Sequence, residues 1–243
     1  MSRILIDLSM PVHNDMVTFP RIVKPALEMY ESWTEFAERI GAAQYGVPWL
    51  TASYSVTLSD HVGTHIDSLR HLRDDSPGPE GIPLDYCLSD GVVLDFSDKE
   101  FGYGITAHDV ETALLKINYT LKPLDIVLIY TGAGHINETQ DYVKNHCGMM
   151  ADATLYLIDH GVKVMGIDAI TWDMPVWAMF EKKKFWESHR VMMDHEYYHI
   201  ENMMNLEKLL EMGKPYGFQL SVFPIKWVGT TASPIRAVAI IEN

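Results

Sequence analysis

The chain has 243 residues, of which 47% are hydrophobic, 21% charged and 11% aromatic. That composition excludes disordered, collagen-like and coiled-coil classes, and a chain of this length buries a sizeable core without disulfides or structural metal. Its 19 basic and 33 acidic residues leave a net charge of −14, which repels nucleic-acid backbones and anionic membranes, so neither is an expected partner.

At about 100–200 residues per domain, a single domain over residues 1–243 is expected. Cys87 and Cys147 form neither a CxxC pair nor a disulfide framework, which fits a reducing compartment. The opening MSRILIDLSMPVH lacks the apolar core and small-residue cleavage site of a signal peptide. No run of about 20 apolar residues is present. These features predict a cytoplasmic protein.

In chain order, residues 3–10 alternate apolar and polar and predict a strand. The proline-containing segment 11–25 predicts a surface loop. Residues 26–40 place Leu27, Tyr30, Trp33, Phe36 and Ile40 at helical spacing and predict one helix. Residues 52–59 predict a strand, 74–83 a Pro/Gly loop and 91–96 a strand. Thr106 followed by Asp109 marks the N-terminus of a helix over 106–117. Residues 125–131 read as a buried strand, 131–135 as a turn and 149–160 as a helix closed by Gly161. A strand over 162–168 precedes an aromatic-rich irregular stretch to about 188. A short helix at 205–211 and strands at 218–227 and 235–241 complete the pattern. Alternating strands and helices in the middle, with strands at both ends, predict an α/β, or mixed α+β, fold.

The stretch that carries chemistry is Asp60-His61-Val62-Gly63-Thr64-His65-Ile66-Asp67-Ser68-Leu69-Arg70-His71. Gly63 and the β-branched residues argue against a helix. In an extended chain, positions 61, 63, 65, 67 and 71 point to one side. His61, His65, Asp67 and His71 would then converge, with Gly63 leaving room between the first two histidines. Neutral imidazole and carboxylate together suit Zn²⁺ or Mn²⁺. No GxSxG elbow or cysteine motif offers a rival nucleophile. TGAGH (131–135) lacks the residues of a phosphate loop. His13, His108, His135, His146 and His160 are assigned no role, and the 14 methionines read as core filler.

HVGTHIDSLRH resembles the HxGTHxDxPxH signature of the cyclase family of metal-dependent hydrolases, which includes bacterial kynurenine formamidase and isatin hydrolase. The resemblance runs from IDLSMPV through DIVLIYTG to YYHIENMMNLEKL and the ending GFQLSVFPIKWVGTTASPIRAVAI. It implies a swivelling β/β/α-type single domain assembled as a homodimer or homotetramer. It also implies one or two bound divalent ions and a small-molecule amide or lactone substrate.

Residue by residue, the resemblance implies that His61, His65 and Asp67 ligate a first metal, with Asp67 able to bridge to a second. His189 and Glu201 match the remaining ligands, and His71 matches the proton donor and acceptor. Phe19 falls where formamidases carry a substrate-stacking Trp. His195 and His199 flank the matched region, and His199, two residues from Glu201, is left open as a pocket residue. Leu69 replaces the signature's Pro, and the segment Trp172 to Trp186 is longer than a compact formamidase needs. The aromatics Trp49, Trp172, Trp177, Phe180, Phe185 and Trp186 are candidates for lining a pocket beside Phe19. The expected activity is hydrolysis of a non-peptide C–N bond in a cyclic amide such as isatin or an aryl formamide such as N-formylkynurenine. The alternatives are a lactone hydrolase or cyclising dehydratase on the same site, or a silent metal- or ligand-binding protein.

Overall fold

The computed structural model describes residues 2–242. Nine strands form one mixed sheet. Its centre is parallel: β5 (Leu88–Asp95), β7 (Ile126–Tyr130), β9 (Val164–Ile167) and β10 (Tyr198–Glu201). Beyond β5 lie β11 (Tyr216–Ser221), β13 (Val238–Glu242) and β1 (Arg3–Asp7), all antiparallel to their neighbours. Beyond β10 lie the antiparallel strands β4 (His65–Asp67) and β12 (Ala232–Pro234). The two ends of the described chain therefore pair with each other at one edge, while residues 65–67 sit near the other edge.

The central strands are buried on both faces, so their sequences are continuous apolar runs rather than alternating ones. Ile126, Val127, Leu128 and Ile129 have no exposed surface. Val92, Leu94, Val127 and Ile129 face one core layer, into which helices α2 (Ala107–Lys116) and α3 (Ala151–Asp159) send Val110, Leu114, Ala153 and Leu157. Val93, Ile126 and Leu128 face the opposite layer. There α6 (Leu206–Glu211) contributes Leu206 and Leu209, and the antiparallel strands add Ile6, Leu220 and Ala239. Two further strands, β6 (Gly104–Ile105) and β8 (Gly148–Met149), pair in parallel beside the first layer.

The predicted helix over 26–40 is a strand followed by a helix. β2 (Ala26–Glu31) pairs antiparallel with β3 (Ser53–Thr57), and only Trp33–Arg39 is helical, as α1. Ser32 and Glu35 form a reciprocal capping box that fixes where the helix begins. The segment Asp60–His71 is not one extended run either. Only β4 is strand; Gly63 takes a left-handed backbone (φ 59°), and Leu69–His71 is a 3₁₀ turn. Gly63 is thus needed for its backbone conformation more than for the space beside it, and a Cβ there would meet the Val12 side chain at 2.8 Å.

The stretch to residue 188 contains two short helices, α4 (Val176–Lys182) and α5 (Glu187–Arg190). β10 is absent from the sequence prediction. The predicted strand over 218–227 ends at Ser221, and that over 235–241 begins only at Val238 as β13, with β12 before it absent from the prediction. The helix over 106–117 forms with its expected Thr106–Asp109 capping box, and that over 149–160 begins at Ala151, after β8.

Candidate metal centre

The candidate centre lies at the carboxyl ends of β9 and β10, the end of a parallel sheet where open α/β folds gather ligands. Strand register builds it. Glu201 at the end of β10 pairs with His65 at the start of β4. Residues two apart on a strand share a face, so His65 and Asp67 on one strand meet His199 and Glu201 on its neighbour. His189 arrives from α5, His61 from the turn before Gly63, and His71 from the 3₁₀ turn after β4.

The donor atoms fall into two groups. His61 Nδ1, His65 Nε2 and Asp67 Oδ1 are separated by 3.3, 3.0 and 3.4 Å. His199 Nε2 lies 3.2 Å from Asp67 Oδ2 and 3.5 Å from Glu201 Oε1, and His189 Nε2 lies 3.4 Å from the same Glu201 oxygen. Ligands about 2.0–2.1 Å from a tetrahedral ion stand roughly 3.3 Å apart, so both groups have the spacing a divalent ion requires. Asp67 offers one oxygen to each. Glu201 Oε2 also lies 3.4 Å from His65 Nε2.

Both oxygens of Asp67 and both nitrogens of His199 are buried without a hydrogen-bond partner among the described residues. Asp67 Oδ1 stands 3.0 Å from an imidazole nitrogen yet is misaligned for a hydrogen bond. Closeness without alignment is what lone pairs aimed at a common point produce. A buried carboxylate left this way costs several kcal/mol unless positive charge compensates it.

The electrostatics agree. Burial opposes ionisation of Asp67, but His61, His71 and His199 hold its carboxyl well below the usual range. Burial likewise opposes charge on Glu201, and His189, His199 and His65 pull it down. Burial disfavours protonation of His65, yet Asp67 and Glu201 push it up to about 10. For His189, Asp173 and Glu201 overcome burial to the same value. The two carboxylates thus demand cationic neighbours, a role a divalent ion fills in place of protons.

Outer hydrogen bonds select the nitrogen each ring presents. His65 Nδ1 meets the Gly63 carbonyl at 2.8 Å, leaving Nε2 for the cluster. His189 Nδ1 meets Asp173 Oδ2 at 2.6 Å, again leaving Nε2. His61 is reversed: its Nε2 meets Thr231 Oγ1 at 2.9 Å, and that hydroxyl donates to Asp60 at 2.8 Å. Asn202 donates to the Gly63 carbonyl and accepts from the Tyr142 hydroxyl, tying the turn before β4 to the end of β10. Carboxylate–histidine arrangements of this kind raise ligand basicity and fix ring orientation.

His71 differs from the others. Its side chain is 32% exposed and its Nε2 lies 3.6 Å from Asp67 Oδ2. Burial lowers its pKa, Asp67 raises it, and His61, His189 and His199 lower it further, to about 4. It is neutral at pH 7. A cavity of about 390 Å³ opens over the cluster, walled on one side by His61, His65, Asp67, His71, His189 and Glu201. Phe19, Ile22, Leu72, Ile170 and Trp186 form its apolar wall.

A family model described as Putative cyclase matches residues 6–174. The chain belongs to the putative cyclase family. The chain is 28% identical over 236 residues to the kynurenine formamidase of Bacillus cereus strain ATCC 10987, covering 96% of this chain and 95% of that one. It is 25% identical over 234 residues to the kynurenine formamidase of Bacillus mycoides strain KBAB4, with the same coverage. Among solved structures, its fold matches an isatin hydrolase bound to the product analogue thioisatinate, with a TM-score of 0.83, 18% identity and coverage of 99% and 93%. Isatin hydrolase A from Ralstonia solanacearum gives a TM-score of 0.82 at 18% identity, with coverage of 99% and 92%.

The residues singled out as site residues from the sequence, His61, His65, Asp67, His71, His189, Glu201 and Phe19, all line one cavity. Of the other aromatic candidates, Trp186 joins it. Trp49 instead stacks on Trp33, Phe185 packs on Phe180, Trp177 bonds Lys144, and Trp172 is buried against His199. His195 borders a separate surface groove, whereas His199 lies inside the donor cluster. Asp173, Thr231 and Asp60 were not anticipated. The HxE spacing at 199–201, mirroring the HxD at 65–67, was the signal available for His199.

Proposed function

We propose that this cyclase is a metal-dependent hydrolase of a non-peptide C–N bond, acting on an aryl formamide such as N-formylkynurenine or a cyclic amide such as isatin. The observation that carries the reading is the buried Asp67 carboxylate, without a hydrogen-bond partner among the imidazoles around it, facing a cavity with an apolar wall. Kynurenine formamidase relatives of equal length support the substrate class. The imidazole and carboxylate donor set suits one or two Zn²⁺ or Mn²⁺ ions. His61, His65 and Asp67 are the proposed ligands of one position, and Asp67, His189 and Glu201 those of a second.

A bound ion supplies a Lewis acid for the carbonyl and brings the pKa of a bound water to about 7. His71, neutral and half-turned to the cavity, accepts the proton that the attacking water gives up. It then delivers that proton to the departing nitrogen as the C–N bond breaks. Such transfer contributes about 10²–10⁴-fold. Phe19 and Trp186 flank the space where a flat aryl group stacks. The apolar wall excludes water from the rest of the cavity.

The reading extends to assembly and compartment. β2 and β3 form a separate two-stranded sheet, joined through α1, with Tyr30 78%, Tyr54 55% and Val56 54% exposed. A lone pair of strands is marginal in water, which supports a homodimer or homotetramer that covers it; light scattering on the purified protein reads the mass. Both cysteines are free and buried, in keeping with a cytoplasmic location. No helix among the described residues is long and apolar enough to cross a membrane. Strands from both ends of the chain share the main sheet, which supports one domain over 1–243.

The deciding experiment is turnover of N-formylkynurenine, isatin and an aryl lactone by protein loaded separately with Zn²⁺ and Mn²⁺. Hydrolysis of either amide, abolished by chelation and restored by the ion, is the expected result. Full activity after exhaustive chelation would overturn the metal assignment. Turnover of the lactone alone would overturn the amide assignment.

A further inference from the structure

We infer that the two ion positions of this cyclase are unequal, and that His199 makes them so by closing the inner one as a fourth protein ligand. The inference rests on the metal-dependent reading above and extends it to a residue that reading does not use. The inner group is His189 Nε2, His199 Nε2, Asp67 Oδ2 and Glu201 Oε1, whose donor atoms all lie within 4.8 Å of one another. His199 stands 3.2 Å from Asp67 Oδ2 and 3.5 Å from Glu201 Oε1, the spacing of neighbouring ligands on one ion.

His199 has no exposed surface, and neither ring nitrogen has a hydrogen-bond partner among the described residues. A buried imidazole whose nitrogens make no hydrogen bond is expensive, so its burial needs a counterpart. Its ring is held by packing instead, stacked on Trp172 at 5.8 Å with an interplanar angle of 15° and leaning on Tyr197. That packing directs Nε2 toward the two carboxylates.

His199 approaches from behind the cavity floor. His189, Glu201 and Asp67 line the cavity and His199 does not, so the fourth protein donor reaches the inner position from the core. The outer group contrasts with it. His61 retains 19% side-chain exposure and His71 beside it 32%, so the outer position faces the cavity.

Closed sites with four protein ligands hold structural ions, while positions left open to solvent serve exchange and chemistry. The inner position therefore keeps its ion as a fixed charge between Asp67 and Glu201. The outer position exchanges its ion and receives substrate.

The test follows zinc release from the fully loaded protein into an excess of a competing chelator, with bound zinc measured by mass spectrometry. Two equivalents leaving in two phases, at least tenfold apart in rate, are expected. His199→Phe keeps the stacked ring without a ligand and is expected to abolish the slow phase; His199→Gln, with an oxygen near the Nε2 position, is expected to restore part of it. His61→Ala is expected to remove the fast phase alone. Circular dichroism checks that each variant is folded. If His199→Phe fails to fold, His199→Gln decides alone, and must release its inner ion at least threefold faster than the parent. Two ions leaving together, or a slow phase unchanged in the His199 variants, would overturn the inference while leaving the hydrolase reading intact. A parent protein that binds neither zinc nor manganese would overturn both.

Discussion

Asp173 is the most informative single position for the chemistry of the centre. Its carboxylate is 3% exposed and accepts three bonds: His189 Nδ1 at 2.6 Å, the His189 amide at 3.1 Å and the Ser188 amide at 2.9 Å. Asp173→Asn keeps the shape but leaves only one oxygen for three donors. With the oxygen toward His189, the amide NH₂ faces the Ser188 N–H and a buried donor is left unmet, at about 1–3 kcal/mol of stability. With the oxygen toward Ser188, the NH₂ faces Nδ1. His189 then carries its proton on Nε2 and can no longer present that nitrogen to an ion. The first arrangement keeps the tautomer but removes the negative charge that makes Nε2 basic, and the second removes Nε2 as a ligand; loss of such a partner typically costs 10–100-fold in metal affinity, or about 1.4–2.7 kcal/mol. Competitive zinc titration reads the affinity, and a thermal melt of the metal-free protein reads the stability separately. Affinity within twofold of the parent in a stably folded Asp173→Asn would refute the argument that the Asp173 carboxylate supports His189 as a ligand.

His71→Ala is expected to retain bound metal while losing about 10²–10⁴-fold in kcat; loss of metal on elemental analysis would make His71 a ligand instead. Zinc affinity should climb as pH rises from 6 to 9, because ion binding displaces the protons that Asp67, Glu201 and Asp173 hold on His65 and His189, each near 10; a pH-independent affinity in competition titrations would contradict this. Asp109→Ala removes the capping box of α2 together with bonds from Lys99 and Tyr103, so about 1–2 kcal/mol of stability to urea should be lost. Burial opposes ionisation of Asp109, yet Lys99, Thr106 and Tyr103 hold its pKa below the usual 3.8; the parent's advantage over the variant should therefore be full above pH 4 and fade as pH falls below it. Gly148→Ala would place a Cβ 2.1 Å from the Asp173 carbonyl oxygen, and backbone must move to admit it. A drop of more than about 2 kcal/mol in stability is expected, with weakened zinc binding through the displaced Asp173.

The sequence disclosed the centre more fully than the path of the chain around it. A dense HxxxHxD run is visible because its residues are close in sequence, and their convergence survives the error over their backbone. The expected continuous extended strand is in fact a turn, a three-residue strand and a 3₁₀ turn. His199 is harder to place because β10 is only four residues long, and since it is buried on both faces its Tyr-His-Ile-Glu alternation does not mark a solvent face and a core face. Asp173 was invisible for a different reason. It precedes His189 by sixteen residues, and only the packing of α5 beside the loop after β9 joins them. The 26–40 segment shows local signals in competition. Its helical spacing is real from Trp33 onward, but the Ser32–Glu35 capping box begins the helix there, and pairing with β3 claims the residues before it.

On the proposed reading, the division between residues that would hold an ion and the residue that would move a proton follows from the elements carrying them. His65, Asp67, His199 and Glu201 stand on two strands locked by register in the sheet. Their positions are set by backbone hydrogen bonds and core packing, so little rearrangement accompanies ion binding, and preorganised donors of this kind raise affinity and sharpen selectivity. A strand is a poor place for a proton shuttle, which must approach water at one moment and a leaving nitrogen at the next. His71 sits beyond the end of β4, on a 3₁₀ turn whose ring reaches into the cavity and keeps a third of its surface exposed. The turn holds it near Asp67 without enclosing it. Replacing Leu69 by Pro, the residue of the family signature, would stiffen this turn, because Pro fixes φ near −65° at its first position. The Leu69 amide donates no bond in the turn, whereas the His71 amide bonds the Ser68 carbonyl, so the substitution removes nothing that the turn uses. The Leu69 side chain also packs against both core layers, so Leu69→Pro should lose some stability while still folding and keeping its metal content. A change confined to kcat would show that freedom of the turn at His71, rather than ion binding, sets the rate.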